Sequence, residues 1–326
     1  MIKVLFLTEY GQNIGIGHVN RCRALADAFA SKECSIKFLI RGSKSMIDLP
    51  YDIEYVDWET NSLAAEHIAS SDISVFDTYQ IDNSQLACLS SKSKLPVSIT
   101  DAMLRYIQNG IVVVGSIYGD SIQLPTEIAN YILKGPQYML FRNEFWSLPN
   151  YLVKNKIENI TISLGGFVDK QKIAPLLEIV HNVFPDANVS VFGQAESRER
   201  IDAHEKVSFK NLVSSENYIK HLYSTDLMIT NGGQTLNESI LIGIPVIAIS
   251  TADNQIKNAQ KWRELGVIKY CGKTVDKNFN KEFKEELIEF ISKDERIKFN
   301  RVSQESIDSN GAKRVVDFVL EKYKSI

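Results

Sequence analysis

Short apolar runs recur along the chain, most of them followed by a glycine, an asparagine or an aspartate and then by a stretch with apolar positions at helical spacing. Residues 2–8 read as a first strand, and apolar residues at 22, 25, 26 and 29 predict a helix over 18–30. Further strands are expected at 36–40, 53–56, 73–77, 96–101 and 111–114, with a helix near 62–70. The aromatic, proline-interrupted stretch 135–156 reads as a crossover, which places a domain boundary near 150. After it the alternation restarts, with strands at 159–164, 188–193, 226–230 and 246–249 and helices at 172–182, 236–242 and 253–265. The expected fold is α/β, with parallel sheets covered by helices on both faces. Two similar domains, 1–150 and 151–326, would face each other across a cleft. A last amphipathic helix over 309–324 could pack back on the first domain.

Composition narrows the class. With 44% hydrophobic and 24% charged residues, the chain builds a core easily and has no disordered character. A net charge of −3 without a like-charge run gives no basis for binding nucleic acid. The four cysteines are scattered without a Cys-x-x-Cys pair, which fits a reducing cytosol and argues against a zinc site. Strand-forming residues begin at once, so no signal peptide is expected, and no apolar run is long enough for a membrane span. A cytoplasmic protein is the expectation, with no metal and no bound cofactor. The oligomeric state stays open.

Candidate chemistry gathers where strands end. The segment Gly15-Ile16-Gly17-His18 joins a strand to a helix, a place where free N–H groups and the helix dipole attract anions. It is not the dinucleotide fingerprint, because Asn20 occupies the third glycine position. His18 at a helix start would stay neutral and able to accept a proton; the alternative is a histidine that caps its own helix. Asp77 and Asp101 end two strands on the same expected sheet edge, where ligands bind in such folds. In the second half, Gly165-Gly166 and Gly232-Gly233-Gln234-Thr235 join strands to helices and could approach a phosphate, or could be ordinary turns. Glu238, one turn into the next helix, could accept two ribose hydroxyls or simply face solvent. No Asp-x-Asp occurs, so no metal-clamped diphosphate is indicated.

Several segments together resemble one family. Gly15-Ile16-Gly17-His18-Val19-Asn20-Arg21-Cys22 is similar to the Gly-x-Gly-His-Val-Met-Arg-Cys signature of the UDP-sugar hydrolase of pseudaminic acid synthesis. That family removes UDP from a 2,4-diacetamido-2,4,6-trideoxy-altropyranose. Asp77-Thr78-Tyr79, the segment 135–145, Ser163-Leu164-Gly165-Gly166 and the stretch 231–259 match in the same order. The resemblance implies a glycosyltransferase-B-like fold of two Rossmann-like domains, shared with the peptidoglycan N-acetylglucosaminyltransferase and with spore-coat polysaccharide proteins. It implies His18 as the base that activates water, and Gly15, Gly17, Asn20, Arg21, Asp77, Tyr79 and Asp101 around the sugar. Asn254 and Gln255 would lie near the sugar or diphosphate. UDP would be held mostly by the second domain, with Gly165, Gly166, Gly232, Gly233, Gln234 and Thr235 on the diphosphate and Glu238 on the ribose. The chain departs from the family's pattern at Thr8-Glu9-Tyr10, Asn20, Asp101-Ala102 and Phe167-Val168.

The leading expectation is therefore a metal-independent hydrolase that splits a UDP-linked amino-deoxy sugar into UDP and free sugar, for nonulosonic acid or surface-polysaccharide synthesis. One alternative is a glycosyltransferase of the same fold, with an acceptor hydroxyl in place of water. Another is a non-catalytic sugar-nucleotide binding protein.

Overall fold

The computed structural model describes residues 1–11, 14, 16–42, 49–59, 62–101, 105–125, 130–168, 170–195, 205–210 and 215–326. The chain divides into two compact units, one of Met1–Trp146 with Ser309–Ile326 and one of Ser147–Asp308. The first unit thus runs to Trp146 and takes in the C-terminal segment from Ser309.

The first unit carries strands β1 (Lys3–Glu9), β2 (Ser35–Arg41), β3 (Asp52–Tyr55), β4 (Ile73–Asp77), β5 (Leu95–Ile99), β6 (Ile111–Val114) and β7 (Tyr131–Lys134). Helices α1 (Gly17–Ala30), α2 (Ser62–Ser70) and α3 (Asn83–Ser90) lie between them. The sheet is parallel in the order β3-β2-β1-β4-β5-β6-β7. Because side chains alternate along a strand, the two faces bury two different residue sets. Val4, Phe6, Val75 and Val97 pack with Cys22, Leu25 and Phe29 of α1. Leu5, Leu7, Phe76 and Val112 pack on the other side with Ala64 and Ile68 of α2 and Leu86 of α3.

The second unit repeats the plan with β8 (Asn159–Val168), β9 (Asn188–Ala195), β10 (Val207–Lys210), β11 (Leu227–Thr230), β12 (Val246–Ser250) and β13 (Lys269–Lys273). Its helices are α4 (Lys170–Val183), α5 (Ser215–Ser224), α6 (Gln234–Ile242), α7 (Ile256–Glu264), α8 (Phe279–Glu289) and α9 (Lys293–Ser306). The sheet order is β10-β9-β8-β11-β12-β13, again parallel. Ile160, Ile162, Ile229 and Ile247 form its core with Val180 of α4 and Phe283 and Leu287 of α8.

The last helix, α10 (Gly311–Tyr323), joins the first unit's core through Ala312, Val315, Val316 and Val319, all fully buried. At roughly 1.5–3 kcal/mol per buried valine, this packing outweighs the exposed Lys32–Asp317 ion pair, which contributes about 0–1 kcal/mol. Apolar burial holds the helix in place. Among the described residues no helix is long and apolar enough to cross a membrane.

Each sheet has a point where the chain turns from building one way to building the other, between β1 and β4 and between β8 and β11. Ligands of open parallel sheets bind at such points, beyond the carboxyl ends of the strands. Both groups of candidate residues lie there.

Candidate functional site

In the first unit, β1 ends beside β4 with Thr8 opposite Asp77. The chain leaves β1 and enters α1 at Gly17, so His18 is the second helical residue rather than the first. Ile16 is the N-cap and offers no side-chain cap bond. The imidazole does not cap its own helix; it turns to the sheet, where Nδ1 stands 2.6 Å from Asp77 Oδ1. Both side chains are buried, at 3% and 1% exposure.

Arg21, one turn further along the same helix face, completes the arrangement. Its Nη2 donates to Asp77 Oδ1 at 2.7 Å and its Nε to Oδ2 at 3.0 Å. Its Nη1 donates to Asp101 Oδ2 at 2.9 Å. Burial alone would lower the guanidinium's pKa, but Asp77 and then Asp101 raise it well above its ordinary value. It stays charged, and Asp77 is its bidentate partner.

These contacts fix the histidine's tautomer. Nδ1 lies 3.0 Å from Arg21 Nη2, a pure donor, and 2.6 Å from a carboxylate oxygen, a pure acceptor. With Asp77 Oδ1 taking the guanidinium N–H, the shorter contact assigns the proton to Nδ1, which donates to Asp77. In the neutral ring Nε2 then carries the lone pair, and it has no hydrogen-bond partner among the described residues. In that form an imidazole held this way offers Nε2 as a proton acceptor.

Tyr79 and Asp101 form the rim. The Tyr79 ring stands edge-on to the imidazole, with centroids 4.2 Å apart and planes at 85°. Burial pushes its phenol well above the ordinary range, with Asp101 adding to the rise against Arg21, so the hydroxyl stays protonated and donates to Asp101. Asp101 does not end a strand as expected. β5 stops at Ile99, and after the Thr100 N–H bonds Val113 O the chain leaves the ladder. The Cys22 thiol, 4.0 Å from Asp77 Oδ2, is pushed up by burial and by that carboxylate, so it is an inert packing group. Gly17 and Asn20 are half-buried nearby in sequence on α1, while Gly15 lies outside the described residues.

In the second unit, the glycine pair does not turn β8 into a helix. β8 runs on to Val168, and the register with β9 shifts between Ser163 and Phe167, so Gly165-Gly166 sits in a bulge. Gly165 adopts φ +122°, a conformation that favours glycine. Asn231, just past β11, braces this bulge: its Nδ2 donates to Leu164 O at 2.8 Å and its Oδ1 accepts from Gly233 N at 3.1 Å.

Gly232 packs against the turn at Asp253–Gln255, where a Cβ would meet Gln255 O at 2.2 Å. Asn258 Nδ2 donates to Gly232 O at 2.9 Å from the next helix. Gly233 is the N-cap of α6 without a side-chain cap, Gln234 and Thr235 open the helix, and Glu238 is buried at 4% exposure rather than facing solvent. The Gln255 side-chain oxygen is engaged within its own loop, accepting from Thr251 N at 2.9 Å and Ala252 N at 3.3 Å, whereas Asn254 is exposed.

The structure thus brings His18, Arg21, Asp77, Tyr79 and Asp101 together in one unit, and Gly165, Gly232, Gly233 and Gln255 together in the other. Sequence reasoning passed over Asn231 and Asn258, which brace the glycine loops, and Glu9, whose carboxylate meets Thr78 and Tyr79. Only the polar residue at the end of each apolar run could have signalled Glu9 and Asn231. Among the described residues no three His, Cys, Asp or Glu side chains gather as a metal site.

No family model matches the chain. The spore coat polysaccharide biosynthesis protein SpsG of Bacillus subtilis (strain 168) is 24% identical over 275 residues, 78% of this chain and 79% of that protein. The uncharacterized protein MJ1062 of Methanocaldococcus jannaschii is 23% identical over 76% of this chain, and the match spans only about half (55%) of that protein's length. Among solved structures, Acinetobacter baumannii MurG superposes with a TM-score of 0.66 at 14% identity, covering 98% of this chain and 99% of that one. The glycotransferase of kitacinnamycin gives 0.62 at 12% identity, covering 98% of each chain. The chain therefore has the glycosyltransferase-B-like fold, an α/β arrangement of two Rossmann-like domains.

Proposed function

We propose that this chain is an enzyme that acts on a nucleotide-activated sugar, with His18 as general base. The observation that carries the reading is the buried His18–Asp77 pair at the carboxyl end of β4, whose Nε2 has no hydrogen-bond partner among the described residues. In hydrolysis, Nε2 takes a proton from water while the water oxygen bonds to the anomeric carbon. The anomeric C–O bond to the diphosphate breaks, and the nucleoside diphosphate leaves with the bonding electrons. Asp77 holds the tautomer and stabilises the imidazolium that forms, as in other His–Asp arrangements. Arg21, doubly neutralised by Asp77 and Asp101, serves as a scaffold rather than a phosphate ligand. Gly17, Asn20, Tyr79 and Asp101 are assigned to the sugar.

In the second unit we assign the diphosphate to backbone N–H groups at Gly165-Gly166 and at Gly232-Gly233-Gln234-Thr235, and the ribose to Glu238. Asn254 and Gln255 are assigned to the sugar or diphosphate. The favoured substrate is a UDP-linked amino-deoxy sugar, cleaved without a metal step to UDP and free sugar. The motif resemblance to the pseudaminic acid hydrolases supports this choice.

The names of the similar proteins, a spore coat polysaccharide biosynthesis protein and a glycotransferase, favour a second reading. There His18 deprotonates an acceptor hydroxyl and the sugar is transferred. One experiment separates them. The protein is incubated with UDP-sugars with and without candidate acceptors, and UDP release is followed. Hydrolysis gives acceptor-independent release, and transfer gives release that needs an acceptor. Full turnover by His18→Ala would remove the histidine from either scheme.

A further inference from the structure

Glu9, the last residue of β1, is completely buried, yet among the described residues no lysine, arginine or histidine pairs with its carboxylate. Among the described residues two hydrogen bonds hold this side chain. Oε2 accepts from the Thr78 hydroxyl at 2.7 Å and Oε1 from the Tyr79 backbone N–H at 2.7 Å. Thr78 Oγ1 in turn accepts from Gln80 N at 3.1 Å. One side chain thus pins the turn that follows β4, and it does so from the face of the sheet opposite Asp77.

That turn carries Tyr79, and Tyr79 supplies what Asp77 cannot. A single hydrogen bond at Nδ1 sets the direction of the imidazole but leaves the ring free to pivot about that bond. The Tyr79 ring, edge-on at 4.2 Å, blocks the pivot. Its hydroxyl reaches Asp101, which holds Arg21, which holds Asp77. The contacts close a circuit around His18, and Glu9 anchors the turn on which Tyr79 stands.

We propose that Glu9 is a positioning residue for His18, acting through Tyr79 to fix the plane of the imidazole. The inference rests on the reading of His18 as the base, and its test has one arm that needs no turnover. In that arm the His18 ring protons and nitrogens are observed by NMR in the protein without substrate. Glu9→Gln turns an amide N–H₂ toward one of two donors, so one bond is lost and the turn shifts. The His18 ring resonances should move, as the Tyr79 ring current changes, and Tyr79→Ala should move them the same way. In the kinetic arm, Glu9→Gln should lower kcat by about 10–100-fold with KM changed by less than about threefold, as expected for a base displaced by a fraction of an ångström. Added to Tyr79→Ala, it should lower kcat by less than about twofold more, because the two changes break one path. If Glu9→Gln folds poorly, Thr78→Val removes one of the same two bonds and should give a smaller shift in the same direction. Unmoved His18 resonances in both Glu9→Gln and Thr78→Val, or full additivity with Tyr79→Ala, would overturn the proposal. Lack of turnover by the unaltered protein would instead count against the functional reading, while the resonances still decide the role of Glu9.

Discussion

Replacing Asp77 by asparagine tests the base assignment most directly, because shape is kept and one oxygen becomes a donor. Asp77 Oδ1 accepts from His18 Nδ1 and Arg21 Nη2, and Oδ2 accepts from Arg21 Nε. In one orientation the new N–H₂ faces Arg21 Nε–H, donor against donor. In the other it donates to Nδ1, which forces the imidazole proton to Nε2 and removes the lone pair that would accept a proton. The second orientation abolishes the base, and the first strains its scaffold. A positioned general base contributes about 10²–10⁴ in rate, and a wrong-tautomer asparagine in a His–Asp pair costs about 10⁴. The expected fall in kcat for Asp77→Asn is therefore about 10²–10⁴, or roughly 3–5 kcal/mol at 1.36 kcal/mol per decade. Stability should fall by less than the ~3–5 kcal/mol of a fully buried broken pair, since Arg21 is 20% exposed and keeps Asp101. The assay is UDP release under saturating UDP-sugar, beside a thermal melt showing that the variant is folded. A folded Asp77→Asn protein with kcat within a few-fold of the unaltered one, where His18→Ala is inactive, would refute the argument that Asp77 sets the tautomer.

Two further outcomes concern the second unit. Gly232→Ala places a methyl 2.2 Å from Gln255 O, so the turn must move; stability should drop by about 1–3 kcal/mol, and UDP binding by calorimetry should weaken at least about tenfold, whereas unchanged UDP affinity would take this loop out of the nucleotide site. His221, on α5, donates to or accepts from Thr161 at 2.9 Å, and burial, aided by Lys210, holds its pKa down at about 4 against an ordinary 6.5. Its folded form resists the proton that the unfolded form takes, so stability is whole above pH 6.5 and is lost as pH falls toward 4, by about 1–3 kcal/mol for a half-buried group. Amide exchange in β8 should report this loss, and His221→Gln should flatten it; an unchanged pH dependence in the variant would show that other groups cause it.

The strands missed in the sequence share a physical property that most of the visible ones lack. β1, β4, β6 and β11 are interior strands buried on both faces, β8 is interior as well, and their apolar runs mark them to within a few residues. β7, β10 and β13 have no counterpart among the expected strands, and all three are sheet edges. An edge strand such as Val207–Lys210 buries little of either face, so it needs no apolar run and leaves no pattern. The glycine pair at 165–166 was misplaced for a related reason. Glycines after an apolar run read as a turn, but pairing with β9 continues beyond them as Phe167 and Val168 find partners in Gln194 and Ala195.

For the site, the residue types and their places at strand ends follow from the sequence, because apolar periodicity dictates where each strand stops and a loop begins. His18, Asp77 and the Gly232-Gly233 loop are legible on that basis alone, whereas Gly165-Gly166 is not. Their pairing is not. His18 and Asp77 are 59 positions apart, and Arg21 and Asp101 are 80 apart; only the strand order, with β4 beside β1 and β5 beside β4, brings them to hydrogen-bond distance. Which nitrogen of His18 holds the proton, that Glu238 is buried, and that Glu9 is braced by a turn from another strand are likewise decided by packing. Local sequence sets a residue's chemistry and secondary structure, but a tautomer or a buried carboxylate depends on neighbours that only the assembled sheet supplies.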